Sequence, residues 1–245
     1  MNKKSIAFRL ICLFFLIPST SFGQEKLSKS NFHIGLDFQT KYVWRGMEMM
    51  IEDSAPVLFP QINFQTNGIM GYVMGGYSIN GKYSEVDLGI CYTYRWLTIG
   101  INDYYYPTVN TAEDNYFNFV NRDTGHWLEG FVTIAPEHIP AYLTISNFFA
   151  GADKRETEKQ AYSTYAEITY YYDFLEGHRA AIAVGAAFNK SCYNGYAHDF
   201  SICNVELKYT YNLSFKNFAL PLSVAYIINP VYEKSHVNLK ASLAF

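Results

Sequence analysis

Val237-Asn238-Leu239-Lys240-Ala241-Ser242-Leu243-Ala244-Phe245 ends the chain on an alternation of apolar and polar residues. Val237, Leu239, Ala241, Leu243 and Phe245 fall on one face, and Asn238, Lys240 and Ser242 on the other. A period of two is the mark of a strand with one apolar and one wet face. The terminal residues of soluble domains are usually frayed and polar, whereas a last strand that closes a barrel in a bacterial outer membrane gives its apolar face to lipid. This strand therefore predicts an all-β fold, a transmembrane antiparallel up-and-down β-barrel.

The opposite end agrees. Lys3, Lys4 and Arg9 precede an apolar run from Leu10 to Pro18, too short to span a bilayer, and small Ser21 and Gly23 precede Gln24. This is the pattern of a secretory signal peptide over 1–23, cleaved to leave a single barrel over 24–245. Removing it leaves 16 basic and 22 acidic residues, a net charge of −6. Neither that balance nor any basic stripe suits a nucleic-acid binder. The aromatic share of 18% exceeds the charged share of 17%. Soluble domains average about 25% charged residues. Alternating strands, which give lipid only every second residue, account for a composition between soluble and helical-membrane extremes.

Read as strands, the chain divides into twelve segments: 32–45, 57–66, 69–79, 83–94, 97–106, 125–135, 141–150, 161–172, 179–189, 200–211, 218–228 and 234–245. A miscount of one hairpin would give ten or fourteen. Asn67-Gly68 is a strong hairpin signal, because both residues tolerate positive φ. Long connections follow strands one, five, seven and nine, and short turns follow even-numbered strands, the alternation of external loops and periplasmic turns. Tyr104 to Tyr106, with Tyr42 and Trp44, then fall at the external rim, and Tyr170 to Tyr172, Tyr209 and Tyr211 at the periplasmic rim. These are the levels of an aromatic girdle.

A charge on the lipid face costs about 2–4 kcal/mol near the midplane, so the charged set is expected to face the lumen. That set is Asp37, Lys41 and Arg45 on strand one, Glu85 and Asp87 on strand four, Glu129 on strand six, Glu167 on strand eight, Glu206 and Lys208 on strand ten, and Lys240 on strand twelve. Mixed signs fit either a narrow aqueous pore or a lumen filled by ion pairs. Small inward residues on strand nine (Ala181, Ala183, Gly185, Ala187) favour open space. Cys192 and Cys203 flank one external loop, and an oxidising envelope would permit a disulfide between them. Other readings are a lipid hydrolase using His126, His198 or His236 with Ser201 or Ser235, and a soft-metal site at Met47, Met49 and Met50. Ser235 and His236, as neighbours on a strand, diverge to opposite faces. Neither a catalytic set nor a cofactor is expected.

Thr40-Lys41-Tyr42-Val43-Trp44-Arg45-Gly46 resembles the "SNYVFRG" opening of the TorF-type porins, the GCW_CHP family of bacterial outer-membrane proteins. Ser84-Glu85-Val86-Asp87-Leu88-Gly89 resembles that family's "E-[LI]-D-L-Y-A-G-Y" strand, and Ile101 to Pro107 its "G-Y-x-Y-Y-x-Y-P" segment. The order and spacing match over about residues 30–107. Met47, Met49, Met50 and Glu52 stand where the family has a polar "S-Q-x-D". The resemblance implies an outer-membrane barrel of porin type and supplies no catalytic residues. The expected function is passive diffusion of small solutes or ions across the outer membrane of a Gram-negative bacterium. The expected partners are outer-membrane lipid and the barrel-assembly machinery, engaged through the strand ending in Phe245. A non-conducting adhesin or structural barrel is the alternative.

Overall fold

The computed structural model describes residues 31–50, 53–107, 115–121, 123–155, 157–215 and 218–244. The signal-peptide segment and Phe245 lie outside the described residues. Twelve antiparallel strands form a closed barrel: β1 (Asn31–Gln39), β4 (Val57–Thr66), β5 (Ile69–Ser78), β6 (Ser84–Tyr94), β7 (Leu97–Tyr105), β8 (His126–Ile134), β9 (Ala141–Gly151), β10 (Thr164–Leu175), β11 (His178–Ala187), β12 (Ser201–Ser214), β13 (Ala219–Asn229) and β14 (Lys234–Ala244). Each pairs with its sequence neighbour, and β14 closes onto β1 with Asp37 opposite Ser242 and Gln39 opposite Lys240. Closure removes every sheet edge, as spanning a membrane requires of strands.

The alternation of the sequence becomes the two faces of the wall. Phe32, Ile34, Ile62, Ile90, Ile168 and Val237 are all exposed on the outside, far more contiguous apolar surface than a soluble monomer carries. Tyr170, Tyr172 and Tyr92 ring the outside toward the end that holds Asn31 and Ala244, the level where amphipathic rings settle. Asn67 (φ 47°) and Gly68 (φ 81°) make the tight β4–β5 turn as expected.

Three features depart from the sequence reading. Strand one stops at Gln39, and the chain then turns into the lumen as a small hairpin, β2 (Val43–Trp44) paired with β3 (Met47–Glu48). Tyr42, Trp44 and Arg45 are therefore inside the barrel, and the external rim loses two of its expected girdle residues. Tyr104 also points inward, to Glu129, while Tyr105 faces outward but is buried beneath residues 115–121. That segment folds down the outer wall, where Phe119 stacks on His126. The small inward residues, finally, do not leave open space. A Cβ on Gly185 would fall 1.9 Å from the Tyr165 hydroxyl, and one on Gly89 would fall 2.0 Å from the Tyr72 ring. Each glycine vacates volume that an inward tyrosine on the neighbouring strand occupies.

Candidate functional site

The waist of the barrel is built around the Arg45-Gly46 turn. Both residues have positive φ, 50° and 81°, the geometry of a two-residue type I′ hairpin. A left-handed arginine costs about 1–2 kcal/mol, and the guanidinium recovers this through its contacts. It donates to Glu129 Oε1 at 2.5 Å and Oε2 at 3.1 Å and to the Tyr193 hydroxyl at 2.5 Å. It also lies over the rings of Trp44 (4.4 Å) and Tyr165 (4.8 Å), contacts worth about 0.5–2 kcal/mol each. Glu129 is on β8, five strands from β1 one way round the ring and seven the other. The hairpin thus reaches nearly the full width of the lumen.

Its tip is tied to the other side as well. Gly46 lies under β12, where an extra residue, Cys203, bulges between the pairs Gly185–Asn204 and Ala186–Ile202. A bulge re-aims local backbone, and here the Cys203 carbonyl faces Gly46 so closely that a Cβ would fall 2.0 Å from its oxygen. The Gly46 carbonyl accepts from Asn229 Nδ2 at 3.0 Å. Toward β4 and β6, the Tyr42 ring packs on Phe59 and Tyr83, and its hydroxyl donates to Glu85 at 3.4 Å. Glu129, Phe148, Tyr165 and Tyr193 are at most 2% exposed around this hairpin, so a water-sized particle does not reach them.

The charged residues expected in the lumen all sit on or within the inner wall, and most are paired. Lys240 meets Asp37 at 2.9 Å across the closing seam, and Asn238 accepts from the Lys41 backbone N–H at 3.1 Å. Lys208 meets Glu206 at 2.9 Å and Lys41 meets Glu48 at 2.8 Å. Glu167 accepts from the Tyr165 hydroxyl and from Asn204, and Glu85 from the Tyr83 hydroxyl at 2.5 Å. Asp87 is buried beside Glu85 on the same face of β6. Sequence reasoning missed Glu48, Tyr193 and Asn229, because their role exists only once the hairpin turns inward. The positive-φ signal of Gly46 was the available clue.

Above the waist, at the end away from Asn31 and Ala244, a cavity of about 470 Å³ opens to the outside, with Trp44, Met47, Trp127, Phe148 and Tyr232 among its walls. Met47 and Met49 line it, whereas Met50 is buried against Val57 and Phe59. The three methionines therefore do not converge on one site. Of the hydrolase candidates, His126, His236 and Ser201 have partners within the protein. His126 faces outward, its Nδ1 against Asp103 (2.8 Å) and its Nε2 against the Tyr116 carbonyl (2.7 Å), holding the outer-wall segment. His236 contacts Glu48 at 3.5 Å, and Ser201 Oγ accepts from Asn194.

Cys192 and Cys203 are free thiols, which corrects the expected disulfide. Cys192 sits in a short 3₁₀ turn, its N–H held by Ser163 Oγ at 3.0 Å, while Cys203 occupies the β12 bulge. Burial pushes the Cys192 thiol up to about 12, so thiolate is scarce at neutral pH. Reduction with dithiothreitol is expected to leave the urea unfolding midpoint unchanged. Native thiols should react with Ellman's reagent at least tenfold more slowly than unfolded ones. A disulfide would instead cost about 2–4 kcal/mol on reduction.

No protein-family model matches the chain. No curated protein matches it either. Among solved structures it is similar to an outer membrane channel from Pseudomonas putida F1, with 15% identity and a TM-score of 0.48, covering 93% of this chain and 98% of that one. It is similar also to the KdgM porin, with 10% identity and a TM-score of 0.47, covering 89% of this chain and 98% of that one. The outer membrane channel DcaP of Acinetobacter baumannii is 9% identical with a TM-score of 0.37, covering 92% of this chain and 99% of that one.

Proposed function

We propose that this chain is a channel of porin type in the outer membrane of a Gram-negative bacterium, passing small solutes or ions by diffusion. On this reading the β2–β3 hairpin, which reaches into the lumen, closes its waist, and displacement of the hairpin opens the path. The observation that carries this reading is the ion-paired wall between the hairpin and the end that holds Asn31 and Ala244. The side chains of Lys208, Glu206 and Lys240 are 25%, 21% and 18% exposed there. Paired charges that remain partly wet beneath a thin plug suit a solute path better than a filled scaffold, whose interior would be dry. Assembly through the C-terminal strand, and a lipid-embedded outer belt, belong to the same reading.

A second reading, a non-conducting barrel whose external loops carry the function, is favoured by the burial of the waist. Planar-bilayer recording of purified, heat-modifiable protein separates the two. The channel reading expects discrete steps that are rare in the wild type and frequent once the hairpin between Gln39 and Val57 is shortened to a flexible linker. Silence from both proteins would leave the structural barrel.

A further inference from the structure

The cavity above the hairpin is more than the mouth of a closed pore. Its volume of about 470 Å³ lies within the range of small-molecule sites, which are mostly apolar with a few placed polar groups. Two of its walls are rigid aromatic surfaces: Trp127 packs against Phe148 at 5.3 Å and 70°, and Trp44 meets the same ring at 6.3 Å. Met47 and Met49 add pliable, polarizable surface.

The polar residues around the cavity are largely spent on the protein itself. Asn229 donates to the Gly46 carbonyl and accepts from the backbone N–H groups of Val231 and Tyr232. Glu48 is held by Lys41 at 2.8 Å and faces His236 at 3.5 Å. Lys234, exposed at the rim where β14 begins, forms no ion pair among the described residues, and the side-chain hydroxyl of Tyr232 in the same wall makes no hydrogen bond there. A saccharide would need several uncommitted donors and acceptors around its hydroxyls. This site offers flat aromatic walls, one free phenol hydroxyl and one uncommitted cation, too few for a saccharide.

We infer that the cavity is a binding site for small planar apolar anions, an aromatic carboxylate being the simplest, with the ring between the aromatic walls and the carboxylate at Lys234. As the class of solute that the barrel admits, the assignment rests on the channel reading; as a binding site it does not. Stacking on Trp44 and Trp127 supplies contact area, and the ammonium supplies a charge-assisted hydrogen bond at the open end.

The test uses the full barrel in detergent with Trp96→Phe as the reference protein, so that the remaining tryptophans, Trp44 and Trp127, both report from the cavity. Titration with benzoate is expected to quench their fluorescence saturably. Benzyl alcohol should bind at least tenfold more weakly, and acetate and glucose should leave the signal flat. Lys234→Ala, at an exposed position that does not threaten folding, should weaken benzoate at least tenfold and leave benzyl alcohol unchanged. Absence of saturable quenching by benzoate overturns the site. So does equal binding of the alcohol, a response to glucose instead, or indifference to Lys234→Ala. Bilayer recording of the same reference protein is read separately: benzoate binding without conductance retains the site and removes the channel.

Discussion

Gly46→Val is expected to undock the lumenal hairpin and, on the channel reading, to raise the open time of the barrel sharply. The residue has φ 81° and its missing Cβ would lie 2.0 Å from the Cys203 carbonyl oxygen. A β-branched side chain there meets two penalties in the docked hairpin. The left-handed backbone costs about 1–2 kcal/mol, and the overlap is with backbone in a paired strand, which cannot rotate away as a side chain would. Together these exceed about 3 kcal/mol, so the balance between docked and undocked hairpin should move by more than a hundredfold. Neither penalty bears on the twelve-strand wall, so heat-modifiability should survive. Gly81→Val is the control. Gly81 has φ 71° in the β5–β6 turn, and a Cβ there would meet nothing within 4 Å, so it shares the backbone penalty without the collision. Single-channel recording should show a large rise in open time for the Gly46 variant alone. A folded Gly46→Val barrel as quiet as the wild type would sink the hairpin as the closing element.

Arg45→Ala should be the most damaging change at the waist. It strips the fully buried Glu129 of its counter-charge and leaves it the Tyr104 hydroxyl at 2.9 Å and Asn102 at 3.2 Å. Removing one partner of a buried ion pair typically costs about 3–5 kcal/mol, because the other charge stays desolvated. The double variant Arg45→Met, Glu129→Met removes both charges and should recover most of that loss. Arg45→Lys should rescue poorly, since a lysine cannot reproduce the two-pronged contact with Glu129 or the stacking on Trp44 and Tyr165. Urea unfolding followed by tryptophan fluorescence measures the loss if the hairpin stays docked. If it swings out to hydrate Glu129, the cost appears instead as conductance. An Arg45→Ala protein with wild-type stability and wild-type silence would refute the pairing as the tie of the hairpin.

These two residues show where reading the sequence stops. Thr40 to Arg45 reads as the end of a first strand, because Tyr42 and Trp44 continue an alternation and a rim needs aromatic rings. Arg at the first position of a type I′ turn is a poor hairpin signal, and only Glu129, Tyr165 and Tyr193, from three distant segments, make that conformation favourable. Asn67-Gly68 needs no such help and was legible. The same contrast separates the cysteines: their symmetric placement about a loop suggests a bond, but a bulge at Cys203 and a 3₁₀ turn at Cys192 set the backbone there. Gly185 reads as empty volume in one dimension, and only the register with β10 puts Tyr165 against it.

By itself, the alternation running back from the C-terminal strand determined that this chain is a closed antiparallel barrel with an apolar outside and a charged inside. Alternation is a local consequence of strand geometry and of the cost of placing charge in lipid, and both act residue by residue. Whether the inside is open was decided only in three dimensions. A lumen is filled or empty according to which side chains from opposite walls meet, and those pairs, Arg45 with Glu129 and Gly46 with Cys203, lie 84 and 157 residues apart in the chain.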